Sequence, residues 1–447
     1  MTTAHRNTVS SPALPPLRLG IAGLGTVGTG VIRLLRTHMA LLQSRTGRQI
    51  EVIAVSARNR TRDRGIDLSA LQWYDNPIAL AAAPDIDVVV ELMGGADGAA
   101  RALVEAALKA GKAVVTANKA LVARHAQTLA RLSHKHDAPL LFEAAVAGGI
   151  PAIKMVREGV APDALTRLGG ILNGTSNFIL TEMAETGRAF DDVLKEAQEK
   201  GYAEADPSAD IDGWDAAHKL SILTAIAFRP ILFDSLAVSG MRRITTSDIH
   251  QARKLGYAIK MLGVARRLAD DRVEAWVQPC LIPAQSGLAQ VNGVYNALTT
   301  EGPFSGPITI SGQGAGEGPT ANAVMADIID LARGHTLPLW GRMAEQAPIA
   351  CEPIEDLPSR FYLRITLKTP SDAVPDATTA LREVRTILEN EALPVESGHH
   401  HMEGDAAQLI FLTGTTSLAE INRLLPILEE VAFINGTPLA LKLEDLP

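Results

Sequence analysis

From residue 17 the chain alternates short apolar runs with longer stretches in which apolar residues recur every three or four positions. Leu17-Arg18-Leu19-Gly20-Ile21-Ala22 is the first run; it breaks into Gly23-Leu24-Gly25-Thr26-Val27-Gly28 and resumes as Val31-Ile32-Arg33-Leu34-Leu35. That order predicts a strand, a glycine turn and a helix. Glu51 to Ser56, Val88 to Leu92, Ala113 to Thr116 and Leu140 to Glu143 read as further strands, separated by helical spacing such as that of Ala99 to Ala110. Such alternation predicts an α/β architecture on a Rossmann-type, doubly wound parallel sheet. From about residue 152 the pattern changes to longer helices and separated strands, an α+β domain running to 335. Residues 336 to 358 carry four prolines and little regular pattern, and read as a linker. Beyond it, Phe361 to Leu367, Thr379 to Asn390, Val395 to His399, Gln408 to Leu412, Leu418 to Leu428 and Ala432 to Ile434 run strand, helix, strand, strand, helix, strand, a ferredoxin-like unit over 359–447.

A chain of 447 residues, 47% hydrophobic and 21% charged, is long enough for two or three globular domains. Its formal charge of -8, with no Lys/Arg block, argues against a nucleic-acid surface. Cys280 and Cys351 lie far apart without a motif, which excludes a disulfide framework and a cysteine-rich zinc site and makes a reducing cytoplasm the expected location. Its apolar runs are too short or too interrupted to span a bilayer. Residues 1 to 16 lack the apolar core of a signal peptide, and Ser10-Ser11-Pro12 to Pro15-Pro16 reads as a disordered tail.

Several positions carry chemistry. Gly23, Gly25 and Gly28, between a strand and a helix, permit the tight turn and close approach that a dinucleotide pyrophosphate needs, so 17–151 reads as a dinucleotide-binding domain; a glycine-rich turn in an unrelated α/β protein has the same spacing. An NAD-specific protein usually places an acidic residue after the second strand. Here Ser56-Ala57-Arg58-Asn59-Arg60 stands instead, and Arg58, with Arg60 second, points to the 2'-phosphate of NADP(H) unless both are solvated loop arginines. Gly94, in Met93-Gly94-Gly95, lets the chain run close to a bound dinucleotide or simply enter a helix. Lys119, in Thr116-Ala117-Asn118-Lys119, sits at the carboxyl end of the sheet, where open α/β sheets bind ligands, or is a surface lysine at a helix start.

In the second domain, Gly201 to Lys219 concentrates Glu204, Asp210, Asp215 and Lys219. Asp212 followed by Ala216, Ala217, Leu220, Ile222 and Leu223 predicts an N-capped helix, on which Asp215 and Lys219 share a face. Carboxylates converging on one ammonium suit a small zwitterionic substrate, holding its amine while the lysine moves a proton. The same spacing also describes a solvated helix start with an ordinary Asp-Lys pair. Asn173-Gly174-Thr175-Ser176-Asn177 is a tight turn opening a helix, where Gly174 and Thr175 offer donors to a substrate carboxylate or carbonyl, or merely cap the helix.

The strip Gly201 to Lys219 resembles the substrate motif of homoserine dehydrogenases, and Ala117-Asn118-Lys119, Glu143 to Pro151, Asn173 to Asn177 and Gly312 to Ala326 resemble that family's other signatures, in its order. The resemblance covers roughly residues 17 to 335, so 152–335 is the expected substrate and catalytic domain. The resemblance implies Thr26 and Val27 at the cofactor pyrophosphate, Gly201 and Gly316 on the nicotinamide side, and Lys119 beside nicotinamide and substrate. It implies that the helix Ala321 to Ala332 returns to the cofactor domain. It also implies a monovalent cation, usually sodium, held by Glu143 and by backbone oxygens, here those of Glu143, Val146, Gly148 and Ile150. The ferredoxin-like unit resembles an ACT domain, the kind that binds an amino-acid effector such as threonine. Its usual turn after the first strand is replaced by Lys368-Thr369-Pro370-Ser371-Asp372-Ala373-Val374-Pro375. His399-His400-His401 alternates faces on a strand, as a solvated edge does.

The resulting expectation is an NADP(H)-dependent enzyme, with NAD(H) as the alternative carrier, that interconverts L-aspartate 4-semialdehyde and L-homoserine as a homodimer or homotetramer. Lys219 would deliver the proton with electrostatic help from Lys119, Glu204 and Asp215 would bind substrate amine and hydroxyl, and Asp210 would orient Lys219 or close the site. A phosphorylating semialdehyde dehydrogenase would need a thiol nucleophile, and neither cysteine lies near a glycine turn or base. A non-enzymatic sensor would not need two lysines and three acids.

Overall fold

In the computed structural model, which describes residues 14–342, 346–369, 374–404 and 406–446, the first of two units is built on parallel strands. These are β1 (Leu17–Ala22), β2 (Ile50–Ser56), β3 (Gln72–Trp73), β4 (Val88–Glu91), β5 (Ala113–Thr116) and β6 (Leu140–Leu141), in the order β3-β2-β1-β4-β5-β6. Every pairing is parallel, and β1 lies between β2 and β4. The chain reverses its direction of winding at β1 and β4, which makes the mouth beside the carboxyl end of β1 the crevice where such sheets take ligands. Leu19, Ile21, Val90 and Val115 fill the core, consistent with strands covered on both faces.

This unit takes the described residues of Met1–Gly149 and those of Gly316–Met343. Helix Glu317–Arg333 packs on helix Thr26–Thr37, where Arg33 pairs with Glu317. A Cβ at Gly30 would lie 2.6 Å from Cγ of Glu317, so the helices meet this closely only over a glycine. The tail expected over 1–16 lies outside the described residues up to residue 13.

The second unit, Ile150–Ala315 with the described residues beyond 345, is mixed. Its strands are β7 (Arg167–Ile171), β8 (Ala237–Val238), β9 (Tyr257–Arg267), β10 (Val273–Pro283), β11 (Tyr295–Gly302), β12 (Gly306–Gln313), β13 (Arg360–Thr366), β14 (Val395–Glu403), β15 (Ala406–Thr413) and β16 (Leu439–Leu443). The main path is β12-β11-β7-β9-β10-β16-β13-β15-β14, with β8 beside β10. From β13 onward the order strand, helix, strand, strand, helix, strand is present, with helices Ala377–Asn390 and Leu418–Glu429 over a core of Leu363, Val384, Leu409 and Leu424. Pro370–Ala373 of the altered turn lie outside the described residues.

The expectation is a linker at 336–358 and an ACT-like domain over 359–447. Among the described residues no helix or strand forms between Arg333 and Arg360, yet the C-terminal strands continue the preceding sheet. Strand β16 pairs in parallel with β10 at Cys280–Lys442 and Leu281–Leu443. Past it, Leu446 packs into a core with Ile171, Val264, Trp276 and Ala297. Glu444, buried, pairs with Arg266 and reaches Arg167 at 3.4 Å, while Nζ of Lys442 lies 4.5 Å from the Trp276 ring. Alternation along a strand shows which face is apolar, but it does not show that an edge will pair with another sheet.

Candidate functional site

In the first unit the glycine turn is shaped by steric need. Gly23 has φ 103°, and a Cβ there would stand 2.4 Å from the Leu92 carbonyl oxygen; a Cβ at Gly28 would stand 2.0 Å from that of Gly23. Gly25 faces open space and caps helix Thr26–Thr37 without a side-chain hydrogen bond. Thr26 is exposed and Val27 half-buried. A helix start with no side-chain acceptor, beside a crevice, fits an anionic group such as a pyrophosphate. Arg58 and Arg60 are exposed on the loop after β2.

Arg64, not foreseen from the sequence, joins that loop to the turn. Its Nε donates to the Leu24 carbonyl at 3.1 Å and its Nη2 to that of Asn59 at 2.6 Å. The guanidinium lies 5.6 Å from the Trp73 ring, and that of Arg60 lies 5.9 Å from it. The signal was the recurrence of arginine at 58, 60, 62 and 64.

Glu91 was also missed. Fully buried at the end of β4, it accepts from the Met93 N–H at 2.7 Å, the Gly94 N–H at 3.2 Å and the Thr116 hydroxyl at 2.7 Å. One carboxylate thereby fixes the loop at Gly94, where φ is 79°. Asn118 caps helix Lys119–His136 by accepting from the Leu121 N–H at 3.1 Å, and donates to the Gly95 carbonyl at 2.7 Å. Lys119 is the first residue of that helix and is half-buried.

Glu143 opens a short 3-10 turn, buried, with its N–H donating to Asp327 at 2.8 Å. The chain then bends through two left-handed residues, Ala147 at φ 56° and Gly148 at φ 51°. The Glu143 carbonyl accepts from Val146 at 3.3 Å and the Ile150 carbonyl from Ala152 at 2.7 Å. An oxygen-rich bend of this kind suits a hard cation.

In the second unit the predicted strip folds as helix Ser208–Ile211 followed by helix Trp214–Ala227. Asp212 was expected to cap the latter. Gly213 does so instead, at φ 91°, in a space where a Cβ would meet Cε of Met261 at 2.8 Å; the Asp212 carboxylate pairs with Arg242 at 2.7 Å. One turn on, Lys219 is buried. Its Nζ donates to Oδ2 of Asp215 at 2.7 Å and to the Leu172 carbonyl, at the end of β7, at 2.7 Å. Nδ2 of Asn173 reaches Oδ2 of Asp215 at 2.8 Å and Oδ1 of Asp210 at 2.7 Å. Asp210, Asn173, Asp215 and Lys219 thus form one hydrogen-bonded chain. Charge-assisted bonds of this length, out of water, hold geometry better than an exposed pair.

Other predicted residues stand differently. Glu204 is exposed, outside that chain, with its backbone carbonyl accepting from Gln198. Gly201 is exposed at φ 73°. The Thr175 hydroxyl donates to the Tyr202 carbonyl at 2.7 Å, tying the turn to the strip. Gly174 starts helix Gly174–Thr186 where a Cβ would stand 2.7 Å from the Val294 carbonyl oxygen. Gly316 caps helix Glu317–Arg333 at φ 116°.

Behind the turn, Lys260 and Asn296 are buried groups that escaped sequence reading. Asn177 donates to the carbonyls of Val291, Gly293 and Tyr295 and accepts from Nζ of Lys260 at 3.1 Å. Lys260 also donates to the Val291 carbonyl at 2.6 Å and Asn292 at 3.0 Å, and burial pushes its ammonium down to about 8. A lone lysine inside the apolar run Ile259-Lys260-Met261-Leu262 was the available signal. Asn296, fully buried, donates to the same Leu172 carbonyl as Lys219, at 3.1 Å.

Comparison with known proteins gives consistent matches. The family model described as homoserine dehydrogenase matches residues 151–329, and that of the homoserine dehydrogenase NAD binding domain matches residues 23–143. A homoserine dehydrogenase of Pseudomonas aeruginosa is 41% identical, over 97% of this chain and all of the relative. One of Neisseria gonorrhoeae is 39% identical, over 97% of this chain and all of the relative. The crystal structure of a homoserine dehydrogenase from Thiobacillus denitrificans superposes with a TM-score of 0.88 at 39% identity, covering 97% of this chain and 99% of that one. A hyperthermophilic archaeal homoserine dehydrogenase in complex with NADPH superposes with a TM-score of 0.60 at 25% identity, covering 70% of this chain and 97% of that one.

Proposed function

The chain belongs to the homoserine dehydrogenase family, NAD(P)-dependent oxidoreductases of CH–OH groups that interconvert L-aspartate 4-semialdehyde and L-homoserine, and we propose that Lys219 is its proton donor and NADP(H) its carrier. The observation that carries the lysine assignment is its setting, a buried ammonium between the Asp215 carboxylate and the Leu172 carbonyl. Two of its three N–H donors are engaged there, which leaves one for a substrate oxygen.

When bound, the nicotinamide would supply the hydride for reduction of the aldehyde and accept it in the reverse direction. As the C–H bond forms at the aldehyde carbon, the carbonyl π pair becomes an alkoxide. Lys219 gives that oxygen its proton, and Asp215 and Asn173 hold the ammonium in line. Lys119 adds a second positive charge for the developing oxyanion. Glu204 and Asp215 bind the substrate amine and hydroxyl, and Gly174 and Thr175 its carboxylate. The turn Gly23 to Gly28, with Thr26 and Val27 at its helix start, receives the pyrophosphate, and Arg58 the 2'-phosphate. Glu143 and the carbonyls of Val146, Gly148 and Ile150 hold sodium or another monovalent cation as a structural ion. The C-terminal strands β13 to β16 with their two helices form an ACT-like effector module for an amino acid such as threonine, and the enzyme works as a homo-oligomer. Oxidation of NADPH on adding aspartate semialdehyde to the purified protein tests the reading, and no oxidation with either NADPH or NADH would overturn it.

A further inference from the structure

Asn296 lies near the start of β11, fully buried, directly behind the Lys219 chain. Its Nδ2 donates to the Leu172 carbonyl at 3.1 Å, and Nζ of Lys219 donates to the same oxygen at 2.7 Å. A carbonyl oxygen has two lone pairs, so the amide and the ammonium fill it between them. Oδ1 of Asn296 has no hydrogen-bond partner among the described residues. An unmet buried acceptor is destabilising, and an apolar side chain of the same shape would serve packing better. Packing therefore does not account for an amide at this position.

The surrounding chain is shaped to admit that amide. A Cβ at Gly314 would stand 2.1 Å from Cγ of Asn296, and one at Gly174 would stand 3.5 Å from its Oδ1. At Gly314 any side chain would displace the amide, while the Asn173–Gly174 turn meets its oxygen at ordinary contact distance.

We propose that Asn296 is a positioning residue for Lys219, which by sharing the Leu172 carbonyl fixes its direction and limits how firmly it holds the ammonium. The proposal rests on the reading of Lys219 as proton donor. A carbonyl that already receives an amide N–H offers less to the ammonium than one devoted to it, and a proton held less firmly is given up more readily to an alkoxide. The charged groups joined to the ammonium in this chain are Asp215, on its own helix, and Asp210, reached through Asn173 from helix Ser208–Ile211. Both stay unchanged in the test.

The experiment is Asn296→Leu, which keeps the branching at Cγ while removing both the donor and the unmet acceptor. The melting temperature should equal or exceed the parent's, and the KM values for NADPH and aspartate semialdehyde should stay within about twofold. The kcat should fall several-fold, and its alkaline limb should move up by about half a pH unit or more, because the ammonium then holds its proton more firmly. Asn296→Asp is the second variant. Its carboxyl can donate to Leu172 only when protonated, so its kcat should recover toward the parent value as pH falls. An unmoved limb in both variants, with or without a lower melting temperature, reduces Asn296 to packing and overturns the proposal. Lys219→Met separates the two ideas: if it is inactive while both Asn296 variants keep the parent profile, only the positioning role fails; if it turns over normally, the proton-donor reading fails as well.

Discussion

Nζ of Lys219 lies 2.7 Å from Oδ2 of Asp215, one helical turn earlier on Trp214–Ala227, with both groups buried. The contact follows from four-residue spacing, but its strength comes from Asn173, which donates to the same oxygen and prevents the carboxylate from swinging away. Replacing Lys219 by methionine keeps much of the apolar volume and removes the transferable proton. The kcat should fall by about two to four orders of magnitude, with the NADPH Kd nearly unchanged, as measured by steady-state rates and fluorescence titration. Normal turnover here, together with an inactive Lys119→Met that still binds cofactor, would exchange the roles of the two lysines.

Arg58 and Arg64 should separate by cofactor. Arg58 is exposed and proposed for the 2'-phosphate, so Arg58→Ala should weaken NADPH by roughly 1 to 3 kcal/mol and spare NADH. Arg64 braces the glycine turn through the Leu24 carbonyl, so Arg64→Ala should weaken both carriers alike. Titrating each variant with NADPH and NADH decides. Equal loss of both in Arg58→Ala would refute the phosphate assignment.

Lys260 makes stability depend on alkaline pH. Its folded ammonium titrates near about 8 against an ordinary 10.5, because burial disfavours the charge. The unfolded chain therefore binds more protons between those values, and stability should rise with pH across that window. Below pH 8 the penalty is fully present, and by pH 10.5 it is gone. Relative to Lys260→Met, the parent should gain about 2 to 3 kcal/mol in urea denaturation from pH 7.5 to 10.5. A pH-independent difference would show that the amine is solvated.

Leu446 tests how far the C-terminal strands belong to the catalytic unit. It is 3% exposed in the core shared with Ile171 and Val264, and a Cβ at Gly169 would lie 2.7 Å from its Cδ1. Leu446→Ala should cost about 2 to 4 kcal/mol. Deleting 359–447 should lower stability further, since it strips β16 from β10 and leaves Arg167 and Arg266 without Glu444. A truncated chain that melts like the parent, by circular dichroism, would restore the picture of a detachable module.

The bend from Glu143 to Ile150 gives an ion test. Exchanging sodium for a bulky organic cation at fixed ionic strength should lower the melting temperature or kcat, and Glu143→Gln should remove that sensitivity. No response to the exchange would leave the bend without an ion.

The sequence by itself determined what backbone sterics and short-range geometry dictate. The glycine turn Gly23 to Gly28 is legible because no other residue fits a φ of 103° under the Leu92 carbonyl, and the β1-to-helix order is local. Asp215 and Lys219 were paired from helical spacing alone. Tertiary structure decided the rest, because those contacts join residues far apart along the chain. Gly213 displaced Asp212 as helix cap because Met261 and Val238 fill the space where a Cβ would stand. Asn173 joins Asp210 to Asp215 across separations of 37 and 42 residues, Asn296 meets Leu172 across 124, and Arg167 meets Glu444 across 277. Periodicity shows which face of an element is apolar, while these partners are chosen only when the sheets close and buried polar groups must find one another.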